Sequence, residues 1–191
     1  MKNSILKLAL ITVAAIAAAG ILIFSMWILI SPQSMATSSE KLGNYNFAVT
    51  CANLKYKYSS DTGDLARCAE DSILSKKDKL IIKYCGELRK KSDFDALCSL
   101  RNEELSHTQF GSYATDYRTY ILGNLAVAQY RSGDLQAAVK TAEEGEKECF
   151  KKLVIEILVN GTEADKVNII NSIDPQRTDA IEYVKELLNL K

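Results

Sequence analysis

The chain has 191 residues and a mass of 21.2 kDa, room for one ordinary domain plus an accessory segment and too little for a large multidomain enzyme. Its 24 Lys and Arg balance 24 Asp and Glu, and from residue 40 onward 22 basic side chains face 24 acidic ones, which argues against the basic footprint of a nucleic-acid-binding domain. Two prolines and eight singly scattered glycines after Gly20 are too few for a β-protein that turns every ~8–12 residues. Composition therefore selects an all-α fold.

The N-terminus supplies the strongest signal. No charged residue occurs from Leu8 to Ser39, and Leu8–Ile30 is apolar apart from Thr12, Gly20 and Ser25. As a helix that run measures roughly 34 Å, enough to cross a bilayer, so residues 1–30 are expected to be a signal-anchor transmembrane helix. Lys2 and Lys7 precede the run, and the first charges after it are Glu40 and Lys41. The positive-inside rule then puts the N-terminus in the cytoplasm and the C-terminal domain outside it, in the periplasm or the extracellular space. A cleaved signal peptide is the competing reading, with Ser34-Met35-Ala36 as small residues before a cut after Ala36, although its apolar core would normally be only ~7–15 residues. Ala14/Ala18 and Ala15/Ala19 have the four-residue spacing of close helix pairs, which lipid-facing filler also shows. Trp27 suits an interfacial anchor, and residues 31–39, rich in hydroxyl and amide groups, read as a short flexible stalk.

Residues 40–191 carry helical periodicity nearly throughout. Tyr45–Lys57 places Phe47, Cys51, Leu54 and Tyr58 three to four residues apart. Ser59-Ser60-Asp61-Thr62-Gly63 interrupts it, and Asp64 is the expected cap of a helix with Leu65, Cys68, Ala69, Ile73 and Leu74 on one stripe. Asp78–Lys91 follows, its inner face Leu80, Ile81, Tyr84, Cys85 and Leu88. A helix from Phe94 then fades near Gly111. Ser112–Ser132 and Leu135–Val159 are expected as two further helices around Gly133-Asp134. Thr162 and Asp165 are spaced as a capping box, and Asp174-Pro175 is expected to open the last helix, ending at Leu190.

The helices form pairs, and the pairs repeat. Cys51 to Cys85 is 34 residues, and 34 more reaches Thr119, the period of helix–turn–helix solenoids. The turns Gly63-Asp64-Leu65, Ser92-Asp93-Phe94 and Gly133-Asp134-Leu135 share their chemistry at spacings of 29 and 41. Leu122-x-x-Leu125-Ala126, then Tyr130-x-x-Gly133-Asp134-Leu135-x-x-Ala138-Val139-x-x-Ala142-x-x-Gly145, resembles one tetratricopeptide repeat. Cys85, Phe94, Leu97, Cys98 and Glu104 resemble the motif more weakly, and Gly63, Leu65 and Cys68 more weakly still. Glu104 departs from the small residue of that pattern, and no proline closes a repeat. The resemblance implies a helical-hairpin solenoid over residues 40–191, with repeats about 45–75, 78–105 and 113–148 and capping helices over 149–191. It implies a concave groove for a peptide or partner helix, and no chemistry.

All five cysteines, Cys51, Cys68, Cys85, Cys98 and Cys149, fall in the part expected outside the cytoplasm, where disulfides persist. Cys51 with Cys68 and Cys85 with Cys98 would each join the two helices of one hairpin, and the tetratricopeptide resemblance implies that the second pair lies at facing positions. Such a loop is worth about 3 kcal/mol on chain-entropy grounds. Buried free thiols remain open, as does a different pairing such as Cys68 with Cys85. Spacings of 17, 17 and 13 without C-x-x-C fit neither a structural zinc site nor a thiol oxidoreductase. Cys149 is left over, either inert in a core stripe with Phe150, Leu153 and Val154 or open to an intermolecular bridge.

Catalytic patterns are sparse. His107 is the single histidine, between Ser106 and Thr108, so any Ser or Cys nucleophile would depend on it. There is no phosphate loop, H-E-x-x-H or EF-hand spacing. Glu143, Glu144, Glu146 and Glu148 alternate with Lys140, Lys147, Lys151 and Lys152 as a solvated helix face does. Asn160-Gly161-Thr162 matches a glycosylation acceptor and equally a helix–helix turn. The sequence thus leads to a protein that is not an enzyme, holds no cofactor or metal, and binds a protein or peptide partner. Mapped onto the resemblance, the groove positions are Lys79, Ile82, Arg89 and Lys90 from one repeat and Tyr120, Val127, Tyr130 and Arg131 from the next. They are basic and aromatic, suited to an acidic or aromatic-bearing segment. Ile82 and Gly86 stand where chaperone-tail-binding members carry lysine and asparagine, which argues against that ligand. The alternative is a structural subunit of a larger membrane complex or surface assembly, with an exposed apolar stripe at Ile181, Val184, Leu187 and Leu188; a capping helix would bury the same stripe.

Overall fold

The computed structural model describes residues 2–105 and 116–190, and among them every regular element is an α-helix. His107 and the expected helix ends between Ser106 and Thr115 lie outside the described residues. The first helix, α1 (Lys2–Ile30), contains the stretch Leu10–Ile30, which is long and apolar enough to cross a membrane. Its large side chains, Leu10, Ile16 and Ile23 among them, are exposed.

The stalk expected over residues 31–39 is instead a second helix, α2 (Pro32–Lys41), laid on α3 (Tyr45–Ser59). Pro32 occupies the first helical position, where its missing N–H is not needed. Met35, Ala36 and Ser39 are buried, and Ser39 Oγ donates to the Met35 carbonyl at 2.7 Å. A segment of serine, threonine and glutamine gives almost no periodic signal, so two apolar side chains facing α3 decided its structure. The Ala36 bond of the expected cleavage site lies within this packed helix.

The caps explain where the next helices begin. Asn44 Oδ1 accepts from Phe47 N at 3.3 Å to start α3, and Asp61 Oδ1 accepts from the amides of Gly63 (2.8 Å) and Asp64 (3.2 Å) to start α4 (Thr62–Leu74). The cap is therefore Asp61 rather than Asp64, which pairs instead with Lys55 at 2.8 Å. Then come α5 (Asp78–Leu88) and α6 (Phe94–Leu105). Asp116 Oδ1 caps α7 (Tyr117–Arg131) through Thr119 N at 2.8 Å, and Asp134 Oδ1 caps α8 (Leu135–Glu144) through Ala137 N at 2.9 Å. Between α7 and α8 the chain passes through Gly133 at φ +88°, a backbone that a side chain would strain.

The single helix expected over Leu135–Val159 is two helices. It breaks at Gly145-Glu146, with Glu146 at φ +58°, and α9 (Glu146–Asn160) leaves in a new direction. The capping box of Thr162 and Asp165 is present and opens α10 (Glu163–Ser172). The last helix, α11 (Thr178–Leu187), starts later than Asp174-Pro175, because Asp174 Oδ1 turns onto Gln176 N at 2.9 Å within the preceding loop.

Packing follows chain order: α3 on α4, α4 on α5, α5 on α7, α7 on α8 and α9, and α11 on α9. One continuous core runs from Met35 through Leu65, Leu88, Leu122 and Leu153 to Val184. Alanines sit where helices cross: Ala66, Ala69, Ala126, Ala138 and Ala142 are fully buried.

The disulfides expected between Cys51 and Cys68 and between Cys85 and Cys98 are not formed. All five cysteines are free and buried. Each thiol occupies a position in the core cluster and packs there as a compact group. Cys149 is among them, with its Sγ 3.7 Å from the Thr119 carbonyl.

Candidate functional site

A concavity with a volume near 560 Å³ opens between α4, α5, α7 and α9. α7 contributes Tyr120, Asn124, Val127 and Arg131, successive positions on one helical face. Ile73 and Leu74 come from the end of α4, Lys76 from the following turn, Asp78 and Ile81 from α5, Lys152 from α9 and Tyr45 from α3. The floor is apolar. Tyr120 and Val127 are each 8% exposed and Ile81 is 5% exposed, held there by the core below.

Polar groups ring this floor. Lys152 Nζ donates to Asn124 Oδ1 at 2.8 Å, and desolvation by the surrounding helices pulls its ammonium below the ordinary lysine value. Arg131 forms a two-pronged pair with Glu156, 2.8 Å on each prong, which holds the Glu156 carboxyl below its usual range. On its other side Arg131 lies 3.9 Å from Asp78 Oδ1, an atom shielded from solvent that accepts no hydrogen bond. Three cations and one carboxylate thus border an apolar trough, and one buried acceptor is left without a donor. A segment carrying apolar side chains, a carboxylate and a spare N–H matches this arrangement.

The structure brings together Tyr120, Val127 and Arg131 of the residues expected in the groove. Tyr130 turns away from the trough into an adjoining smaller cleft with Glu156 and Asn160, where its hydroxyl donates to Asp165 Oδ2 at 3.1 Å. Ile82 packs against the core. Arg89 is a tie between α5 and α8, donating to Thr141 Oγ1 at 2.8 Å and lying 3.5 Å from Glu144. Lys79 and Lys90 are exposed and line none of this trough. Among the residues missed were Lys76, Asp78, Ile81, Asn124 and Lys152. Ile81 has a sequence signal as an apolar position on α5, but Lys152 reads as solvated surface until the break at Gly145 turns α9 toward α7.

A second polar concentration lies inside the body. The Tyr117 hydroxyl donates to Glu70 Oε1 at 2.8 Å, Arg101 lies 3.5 Å from the same oxygen, and Arg67 Nε donates to Glu40 Oε1 at 2.8 Å. Asp71 is 3% exposed, and its Oδ2 accepts no hydrogen bond. Burial pushes the Asp71 carboxyl up to about 8, reinforced by the Glu40 carboxyl nearby. Among the described residues no group of three or more His, Cys, Asp or Glu is placed to hold a metal ion.

Comparison with protein-family models, with curated proteins and with solved structures finds no match.

Proposed function

We propose that this chain is a membrane-anchored protein-interaction module, held by α1, whose trough between α4, α5, α7 and α9 binds a peptide segment bearing apolar and acidic side chains. The observation that carries this reading is the trough itself: Ile81, Tyr120 and Val127 on the floor, with Lys76, Arg131 and Lys152 above it. The tetratricopeptide-like arrangement is part of the proposal. The hairpin of α7 and α8 with α9 laid on both supports it, as do the buried alanines at 126, 138 and 142. In this reading Lys2 and Lys7 keep the N-terminus in the cytoplasm, and the helical body faces the periplasm or the extracellular space, where an adaptor at an envelope or export assembly would work.

The test uses the full chain in lipid nanodiscs and an array of short peptides that vary independently in aromatic and in Asp/Glu content. Binding should concentrate in peptides with both features. Lys76→Glu with Lys152→Glu should weaken it about tenfold or more, as charge reversal beside a binding site does. Lys79→Glu with Lys90→Glu should leave it unchanged; the reverse result rejects the trough.

A second reading, the assembly subunit, draws on a different face. The stripe expected to be exposed on the last helix is turned inward, since Val184 and Leu188 are buried and Ile181 and Leu187 pack against the core. Exposed apolar side chains occur instead at Ile155, Leu158 and Val159 of α9 and Val167 of α10. If that face joins copies, the full chain in detergent will have a multiple of the monomer mass, and Val159→Lys will reduce it to one.

A further inference from the structure

The contact between α1 and α3 fixes more than the anchor. The rings of Phe24 and Phe47 stack with centroids 6.0 Å apart and planes within 15°. Phe24 lies six residues before the end of α1 at Ile30, about 9 Å back along the helix axis. Had α2 continued outward, its ten residues would have carried the chain about 15 Å beyond Ile30, and Phe47 could not reach Phe24. The chain therefore doubles back after Ser31, so that α2 descends beside α1 and α3 climbs again. The far end of α3 agrees: Tyr58 and Ser59 share a cleft with Leu29, Ile30 and Pro32, and Lys55 Nζ donates to Gln33 Oε1 at 2.9 Å.

This hairpin brings the α2–α3 turn to the depth of Phe24. If Leu10–Ile30 fills the apolar layer, Phe24 lies about 9 Å below its domain-side boundary. Sliding the span toward the N-terminus until Lys7 reaches the opposite boundary still leaves Phe24 about 4 Å inside a ~30 Å layer. The Phe47 ring, its centroid 6.0 Å from that of Phe24, lies close to the domain-side boundary.

The turn is built to present an apolar tip there. Gly43, at φ +71°, and the bonds Gly43 N to Glu40 O (2.9 Å) and Asn44 N to Ser39 O (2.8 Å) hold it closed. Leu42 projects at 83% exposure, the most exposed large apolar side chain among the described residues. A single exposed leucine is ordinary on a water-facing surface; what sets this one apart is its place five residues before Phe47, whose ring meets Phe24. Lys41 beside it is exposed, and a lysine at that place can extend its ammonium to the headgroups. From Lys41 to Ser60 the sequence has no Asp or Glu and carries Tyr45, Phe47, Tyr56 and Tyr58 with Lys41, Lys55 and Lys57, the composition of a membrane–water interface.

We propose that the α2–α3 turn, with Leu42 at its tip and Phe47 behind it, is a second membrane-contact site that rests in the lipid interface beside α1. The helical body is then seated on the bilayer in one orientation rather than swinging from a tether. The inference rests on α1 spanning the membrane, and its test separates the two statements.

Trp27 is the one tryptophan, so the native chain reports on the span, and Leu42→Trp in a Trp27→Phe background reports on the turn. Both are reconstituted as full chains in phosphatidylcholine vesicles, with and without bromine on the upper acyl carbons, and Leu100→Trp in the same background serves as a reporter on α6. The expected result is emission reduced roughly twofold or more by brominated lipid for Trp27 and for the residue 42 reporter, as for an indole at the interface, with no change at 100. Quenching of Trp27 without quenching at 42 overturns the contact site and leaves the span standing. Absence of quenching at both overturns the span and the contact together. Because Leu42 is exposed, its replacement leaves the core intact, and matched helix content by circular dichroism confirms this.

Discussion

Gly145 and Cys149 occupy the same space: a Cβ added at Gly145 would fall onto Cys149 Sγ, and it would also lie 3.0 Å from Cys149 Cβ and 3.3 Å from Leu122 Cβ. The thiol therefore fills the notch left by the missing side chain, at the point where α8 ends and α9 turns toward α7. Gly145→Ala should destabilise the fold by about 1–3 kcal/mol, as overpacking a core does. Cys149→Ala in the same chain should recover part of that loss, since Leu122 still crowds the site. Thermal unfolding of the two single variants and the double variant gives the coupling directly.

Asp71 is expected to make stability fall as pH rises. Its folded value, near 8, lies above the ordinary value near 4, so between those limits the folded chain binds a proton that the unfolded chain releases. Stability is greatest below about pH 4, declines as pH climbs to about 8 and is level beyond it for this group. Glu40 from α2 and Arg67 and Glu70 from α4 surround the carboxyl. Asp71→Asn keeps the shape, offers an N–H to Glu40 and cannot ionise. It should add on the order of 2 kcal/mol at pH 8 and flatten the slope; an unchanged slope in urea titrations across this range would refute the assignment.

The free thiols should be silent in the native protein. Burial pushes Cys68, Cys85, Cys98 and Cys149 up to about 12 and raises Cys51 as well, leaving almost no thiolate to attack a reagent. An aromatic disulfide reagent should find essentially no reactive cysteine in the folded chain and five after unfolding without reductant. A count of three or one on unfolding would show that disulfides form after all.

Tyr117 supports Glu70 from inside the core. Burial raises the Glu70 carboxyl, and the Arg101 charge and the Tyr117 hydroxyl oppose that rise. Tyr117→Phe removes one donor from a partly buried acceptor and should cost about 1 kcal/mol at neutral pH. The cost should shrink in acid, where Glu70 is protonated, whereas a packing defect alone would be independent of pH.

Much of this architecture is written locally. The spanning run, the all-α composition and the stops at Gly133 and Asn160 are local properties, and so is the capping box at Thr162 and Asp165, because each depends on residues only a few positions apart. The same locality explains the errors. Asp61 and Asp64 are both suitable caps, and backbone geometry alone chooses between them. Gly145 alone marks a candidate helix end locally, and the fit of Cys149 Sγ against it and the packing of α9 on α7 accompany the break.

The trough shows the same division. Sequence placed Tyr120, Val127 and Arg131 on one face of α7, since helical spacing is a local regularity. Asp78, Asn124 and Lys152 join them only when α5 and α9 close on that face, and Arg89 leaves the set because Thr141, fifty-two residues away, captures it. Residues 31–39 show it most plainly: their composition predicts a solvated tether, yet Met35 and Ala36 bury against α3. A few contacts with distant residues outweigh a weak local preference, so the sequence determined that α1 is long and apolar enough to cross a membrane, while tertiary packing decided that the chain after Ser31 returns to meet it.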